Sequence, residues 1–147
     1  MAQVSAAGPE ALRLLAGQTL SEAMLSLTFD TGALIALERG DKRMRTVLDT
    51  ASADGVSITV PAVVVAEWWR GTSRRRQNIL EALDVEPTTE WIARAAGEAM
   101  AALPGATVVD AIVMASAALR GGVVYSSEIA DLERLRVRFP AVRILRA

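Results

Sequence analysis

The chain has 147 residues, 52% hydrophobic and 22% charged, with a net charge of -1. That length and composition suit one folded domain with a real core and exclude a disordered chain. It contains no cysteine and no histidine. This excludes a disulfide framework, a thiol nucleophile, an imidazole base and zinc sites of the usual kind. Any catalysis must therefore draw on carboxylates, hydroxyls, amines or a bound metal.

Residues 1–23 do not resemble the rest. Met1–Gly8 is small and polar, and Pro9 opens a short helical pattern that Gly17 stops. Residues 1–23 are expected to be a dispensable extension, with the domain running over 24–147 and Met24 as a natural start. Leu25, Leu27 and Phe29 alternate with Ser26 and Thr28, which predicts a strand. Asp30-Thr31-Gly32 follows, then a helix over Thr31–Glu38 stopped by Gly40. Asp41 can cap a second helix over Lys42–Ala53, where Met44, Val47, Leu48 and Ala51 form an apolar stripe.

Val56–Val60 alternates as a strand, and Pro61 ends it and can begin a helix over Ala62–Arg70, with Gly71 as the stop. Another helix is expected over Arg74–Leu83, then a short edge strand at Asp84-Val85-Glu86. A helix over Thr89–Ala102, capped by Thr88 or Thr89, precedes the Leu103-Pro104-Gly105 loop. Thr107–Leu119 reads as a strongly apolar helix in which Ser116 is a small packing residue. Val123–Tyr125 is a buried strand, Ser126-Ser127 cap a helix over Glu128–Arg138, and Val142–Leu145 is the last strand. Repeated strand–helix units predict an α/β fold with a parallel sheet covered by helices on both faces.

Five acids stand out. Asp30 closes the first strand, where open α/β sheets place their ligand crevice; it also suits a helix N-cap. Glu67 lies in the apolar stretch Pro61–Arg70. There it either serves a site, faces solvent, or pairs with Arg70. Asp110 falls in the first turn of its helix, where the dipole favours negative charge. Glu128 and Asp131 share one face at a helix start. Trp68 and Trp69 read as core or interface rather than as a stacking platform.

Taken together, the acids gather at strand ends and helix starts on one sheet edge. Converging carboxylates repel one another unless a cation sits between them. Oxygen-only ligation suits Mg²⁺ or Mn²⁺. Such an ion acidifies water and stabilises charge on a phosphodiester, which replaces the missing histidine. Arg70, Arg74, Arg75 and Arg76 are placed to meet a nucleic-acid backbone, or else form a solvated surface.

Here the residues reach a known family. From about Leu25 to Ala147 the chain resembles PIN-domain ribonucleases, specifically the VapC-like toxins of type II toxin–antitoxin systems. The resemblance rests on four stretches: Leu27–Asp41 around Asp30, Pro61–Gly71 around Glu67, Val109–Ala117 around Asp110, and Ser126–Leu132 around Glu128 and Asp131. It implies a three-layer α/β/α sandwich with a central parallel sheet of about four to five strands. It implies Mg²⁺- or Mn²⁺-dependent hydrolysis of RNA, with Asp30, Glu67, Asp110 and Glu128 as catalytic, metal-binding acids. Asp131 would share the ion, and Ser126 would be a polar supporting group. A cognate antitoxin laid along a groove and a homodimer are further implications. Relatives usually carry aspartate where Glu128 stands. The extra methylene alters the spacing to an ion and leaves open how much Asp131 shares.

No apolar run reaches the ~20 residues of a membrane span, and no secretory signal is apparent, so a cytoplasmic protein is expected. Two other readings stand beside the nuclease. One is a PIN-like module that binds RNA or protein without cutting. The weaker one is a receiver-like domain phosphorylated on Asp30. A receiver needs paired early acids and a late lysine, and Lys42 is the only lysine here.

Overall fold

The computed structural model describes residues 26–147. The expectations for residues 1–23, for Met24 and for Leu25 as the first strand residue lie outside the described residues. Five short strands form one sheet: β1 (Leu27–Phe29), β2 (Ile58–Pro61), β3 (Asp84–Glu86), β4 (Val123–Ser126) and β5 (Arg143–Arg146). All neighbours pair in parallel, in the order β3-β2-β1-β4-β5. Seven helices connect them. They are α1 (Thr31–Glu38), α2 (Lys42–Ala53), α3 (Ala62–Trp68), α4 (Arg74–Glu81), α5 (Glu90–Ala102), α6 (Val108–Arg120) and α7 (Ile129–Leu135). This is the expected α/β class with the expected central parallel sheet.

The strand order fixes where a ligand can enter. The chain steps outward from β1 to β2 and β3, then jumps back to place β4 on the other side of β1. Right-handed crossovers then put α1–α4 on one face and α5–α7 on the other. The direction reverses between β1 and β4, so a crevice opens past their carboxyl ends. The residues at that point are Asp30, directly after β1, and Ser126–Glu128, at the end of β4.

Most helix starts were written in the sequence as caps. Asp30, Asp41, Ser73, Thr89 and Thr107 each accept a backbone N–H three residues on. Helices α3 and α7 are the exceptions: Pro61 precedes α3 and makes no side-chain cap bond. Glu128 occupies the N-cap position of α7 and makes no side-chain cap bond there. The expected Ser126-Ser127 cap is instead a turn, in which Ser126 Oγ accepts the Glu128 N–H at 2.8 Å. The helix is also shorter than expected, because residues after Leu135 continue as turns. The third helix likewise ends at Trp68 rather than Arg70, where Trp69 adopts an extended backbone.

The core is built on Leu27, Phe29, Val60, Val124 and Tyr125 from the strands. Leu34, Met44, Val47, Met114 and Leu132 pack on them from the helices. Helices α5 and α6 meet through a smaller cluster of Ile92, Ala96, Ala111, Ile112 and Ala115, where alanines allow close approach. Trp68 is buried, and its indole N–H donates to Glu38 Oε1 at 2.9 Å. Trp69 packs edge-on against it with ring centroids 5.9 Å apart. Both tryptophans thus belong to the packing, as expected.

Ser116 does more than pack. Its hydroxyl donates to Glu86, the last residue of edge strand β3. Arg120 closes the triangle, 2.5 Å from Glu86 and 2.8 Å from Ser116 Oγ. Glu86 keeps only 21% of its side chain exposed. Removing it takes the acceptor from the buried Ser116 hydroxyl and from Nη1 of the largely buried Arg120. We expect Glu86→Ala to lower unfolding stability in urea by about 2 kcal/mol. Arg45→Ala, which breaks the exposed Arg45–Asp49 pair, should change it by less than about 0.5 kcal/mol. Equal effects would mean that the triangle does not anchor β3 to α6.

Candidate metal centre

Asp30 is the most buried of the acids, at 4% exposure. Its backbone N–H donates to Tyr125 O at 3.2 Å, which ties it to β4. Its carboxylate accepts the Ala33 N–H at 3.1 Å, so it is the N-cap of α1. The N-cap reading is met, and it leaves the carboxylate at the crevice where the site reading needs it. Burial pushes the Asp30 carboxyl up from 3.8 to about 6. Hydrogen bonds from the Ser126 hydroxyl and the Ala33 and Gly32 amides oppose that rise, and the nearby Asp110 carboxylate adds to it.

Asp110 lies in the first turn of α6. Its N–H donates to the Thr107 hydroxyl at 3.1 Å, and that hydroxyl also steadies its carboxylate. Burial raises its pKa, Thr107 opposes this, and Asp131, Glu128 and Glu67 raise it further in that order. Asp110 thus feels every other predicted acid, directly or through the Asp30 pair. The five acids come from β1–α1, α3, α6 and the start of α7, and share one electrostatic neighbourhood.

Glu67, Glu128 and Asp131 are exposed at the rim. Glu67 faces solvent but forms no ion pair with Arg70; it accepts a hydrogen bond from the Thr31 hydroxyl, next to Asp30. Thr31 was not singled out from the sequence. Its signal was available, because the residue after an N-cap aspartate must lie at the mouth of the same crevice. Among the described residues, no three acids stand close enough to hold an ion as they are. The donor set still fits a hard divalent cation: oxygen only, net negative, and short of a neutralising partner.

The arginines divide. Arg76 pairs with Glu38 at 2.8 Å and donates to Gly71 O, while Arg75 donates to Glu38 O at 2.7 Å. These two fasten α4 to the end of α1. Arg70 lines a cleft of about 420 Å³ together with Arg39, Ile35, Glu38, Trp68 and Glu67. Arg39 is a cation beside the acids that sequence reasoning left without a role. Arg74 and Arg75 line a separate groove of about 800 Å³ with Lys42, Arg45, Leu37 and Ile79.

The Asp30 burial carries a stability consequence. Between about pH 4 and 6 the folded chain keeps a proton on Asp30 that the unfolded chain has released. Stability therefore falls as pH rises through that window. Above it the charged carboxylate costs the fold about 3 kcal/mol. Asn at this position keeps the cap without the charge. We expect Asp30→Asn to raise the thermal midpoint of the metal-free protein at pH 7.5 by about 5 °C. At pH 4 the difference should vanish. A variant less stable than the parent at pH 7.5 would contradict the placement of Asp30.

The fold agrees with that of other proteins. The family model described as PIN domain matches residues 27–136. No curated protein sequence matches the chain. Among solved structures, it is similar to VapBC2 from Rickettsia felis bound to a DNA fragment from their promoter. The TM-score is 0.66 at 15% identity, over 84% of this chain and 99% of the other. It is also similar to FitAB bound to an IR36 DNA fragment, with a TM-score of 0.56 at 17% identity over 82% and 94% of the two chains. These likenesses speak for the fold, and the family match spans most of the described sheet and its acids. The chain belongs to the PIN domain family.

Proposed function

We propose that this protein is a metal-dependent endoribonuclease and the toxin of a toxin–antitoxin pair. The observation that carries the reading is the placement of Asp30 and Asp110 at the β1/β4 crevice, each on a helix start, where Asp131, Glu128 and Glu67 add like-charge repulsion to the burial of Asp110. A fold accepts such repulsion when a cation relieves it. When bound, Mg²⁺ or Mn²⁺ supplies an acidified water and neutralises charge on the scissile phosphate.

The chain's own residues do the rest. Asp30 and Asp110 would hold the ion from fixed positions, each anchored at a helix start by its own cap. Glu67, oriented by Thr31, and Glu128 with Asp131 would close around it from the rim. Ser126 supports both Asp30 and the Glu128 backbone. Arg70 and Arg39 would take the RNA backbone along the cleft beside Glu67, giving affinity more than base choice. With Arg75 and Arg76 tied to Glu38 and Arg74 in the separate groove, Arg70 is the better candidate of the arginine run.

The partner reading follows from the second groove. Lys42, Arg45, Arg74 and Arg75 surround an apolar floor of Leu37 and Ile79. That chemistry suits an acidic, amphipathic segment of an antitoxin. The named complexes among the structural relatives support a protein partner. A homodimer belongs to the same reading, and Trp91, 57% exposed on α5, is an apolar side chain it would cover.

The open spacing of the acids favours one other reading, a PIN domain that binds RNA or protein without cutting. Metal titration separates the two. We expect Mn²⁺ to raise the thermal midpoint and to support cleavage of single-stranded RNA. Asp30→Ala or Asp110→Ala should abolish both, with cleavage falling by more than about a hundredfold, since even supporting residues cost 10–100-fold. Arg70→Ala should weaken RNA binding and flatten its salt dependence while leaving the Mn²⁺ response in place. RNA binding with no Mn²⁺ response and no cleavage would decide for the non-catalytic module.

A further inference from the structure

Gly32 is the second residue of α1, two positions after Asp30. A glycine in a helix costs about 1 kcal/mol against alanine. Its backbone is not in the left-handed region, so conformational freedom does not explain it. Space does. A Cβ built on Gly32 would lie 2.0 Å from Ser127 Oγ, 2.8 Å from Ser127 Cβ and 2.9 Å from the Ser127 nitrogen. The hydroxyl can rotate away. The other two atoms move only with the backbone, so any side chain at 32 pushes the β4–α7 loop off α1.

That loop carries the site's other wall. Ser127 sits between Ser126, whose hydroxyl holds both Asp30 and the Glu128 N–H, and Glu128 itself. A shift at Ser127 passes directly to both neighbours. We propose that Gly32 and Ser127 are a positioning pair whose interlock sets the height of Glu128 and Ser126 over Asp30. The proposal rests on the reading of these acids as an ion-binding site. A divalent cation demands ligand distances within a few tenths of an ångström. A loop lifted by a misplaced methyl exceeds that tolerance while leaving the sheet and core intact.

The test is a graded series in the full-length protein: Gly32→Ala alone, with Ser127→Ala, and with Ser127→Gly. Gly97→Ala is the control, because a Cβ there meets nothing within 4 Å. The readouts are the metal-free thermal midpoint, the Mn²⁺ concentration giving half of the Mn²⁺-induced midpoint shift, and the Mn²⁺ dependence of RNA cleavage. Gly32→Ala should raise the half-saturating Mn²⁺ about tenfold or more. Adding Ser127→Ala should recover little, since the 2.8 Å Cβ contact remains. Adding Ser127→Gly should recover part of it, since the Cβ contact is gone and the 2.9 Å contact with the backbone nitrogen remains. Gly97→Ala should match the parent in half-saturating Mn²⁺, while its metal-free midpoint rises by the gain in helix propensity. If Gly32→Ala alone does not fold, the Gly32→Ala, Ser127→Gly double variant is compared with Ser127→Gly, and a higher Mn²⁺ requirement is expected. A lower metal-free midpoint with unchanged half-saturation makes the contact mere packing and overturns the positioning role. So does a failure of Ser127→Gly to recover any of the lost Mn²⁺ binding. A parent protein that ignores Mn²⁺ removes the ion-binding reading itself, and the positioning role with it.

Discussion

A single buried carboxylate at the reversal point of the sheet conditions everything around it. Asp30 is placed at the carboxyl end of β1 by the strand order, under the first turn of α1 and beside the end of β4. Solvent is nearly excluded there, so its charge is expensive. The fold offsets part of that cost with donors: the Ala33 and Gly32 amides, the start of the α1 dipole and the Ser126 hydroxyl. It does not finish the task. Among the described residues, no arginine or lysine pairs with Asp30; Arg75 and Arg76 are tied to Glu38 instead. The burial cost that remains, with a smaller repulsion from Asp110 added to it, is what we read as the imprint of a cation.

The second charge, on Asp110, is treated in the same manner from the opposite face. Thr107 caps α6 and steadies the carboxylate, while the rim acids raise its pKa. Two half-solved electrostatic problems therefore face each other across one crevice, held by helices of different layers. Rigid elements carry the inner acids, and less buried positions carry the outer ones. Such a division suits a site that must hold an ion firmly yet admit a long, flexible substrate. Stability elsewhere is secured by polar links far from the crevice, such as Glu86–Ser116–Arg120, which fastens the edge strand to α6.

Much of this was legible in the residues. Asp41 and Thr89 announced their helices because a short polar side chain before an apolar run has few other uses. Asp84-Val85-Glu86 was readable as an edge strand from its length and its Pro87 stop. The convergence of the acids was readable as well, since strand ends in a parallel sheet share one side. Other features depended on contacts that no local pattern encodes. The division of Arg70 and Arg74 from Arg75 and Arg76 turns on where Glu38 lies in space, 37–38 residues away in the chain. Ser116 looked like filler because its partner Glu86 is 30 residues distant. Ser126-Ser127 looked like a helix cap, and is a turn in which Ser126 Oγ accepts the Glu128 N–H while Ser127 lies against Gly32 across the fold. Local chemistry shows in a sequence; the partner of a polar side chain across the fold does not.

The most direct measurement is a crystal structure of the protein soaked in Mn²⁺, with anomalous scattering used to locate the ion. The account predicts a peak in the crevice between the Asp30 and Asp110 carboxylates, with Glu67, Glu128 or Asp131 drawn toward it, directly or through water. A crevice that stays empty at Mn²⁺ concentrations supporting cleavage, or a peak elsewhere on the molecule, would contradict it.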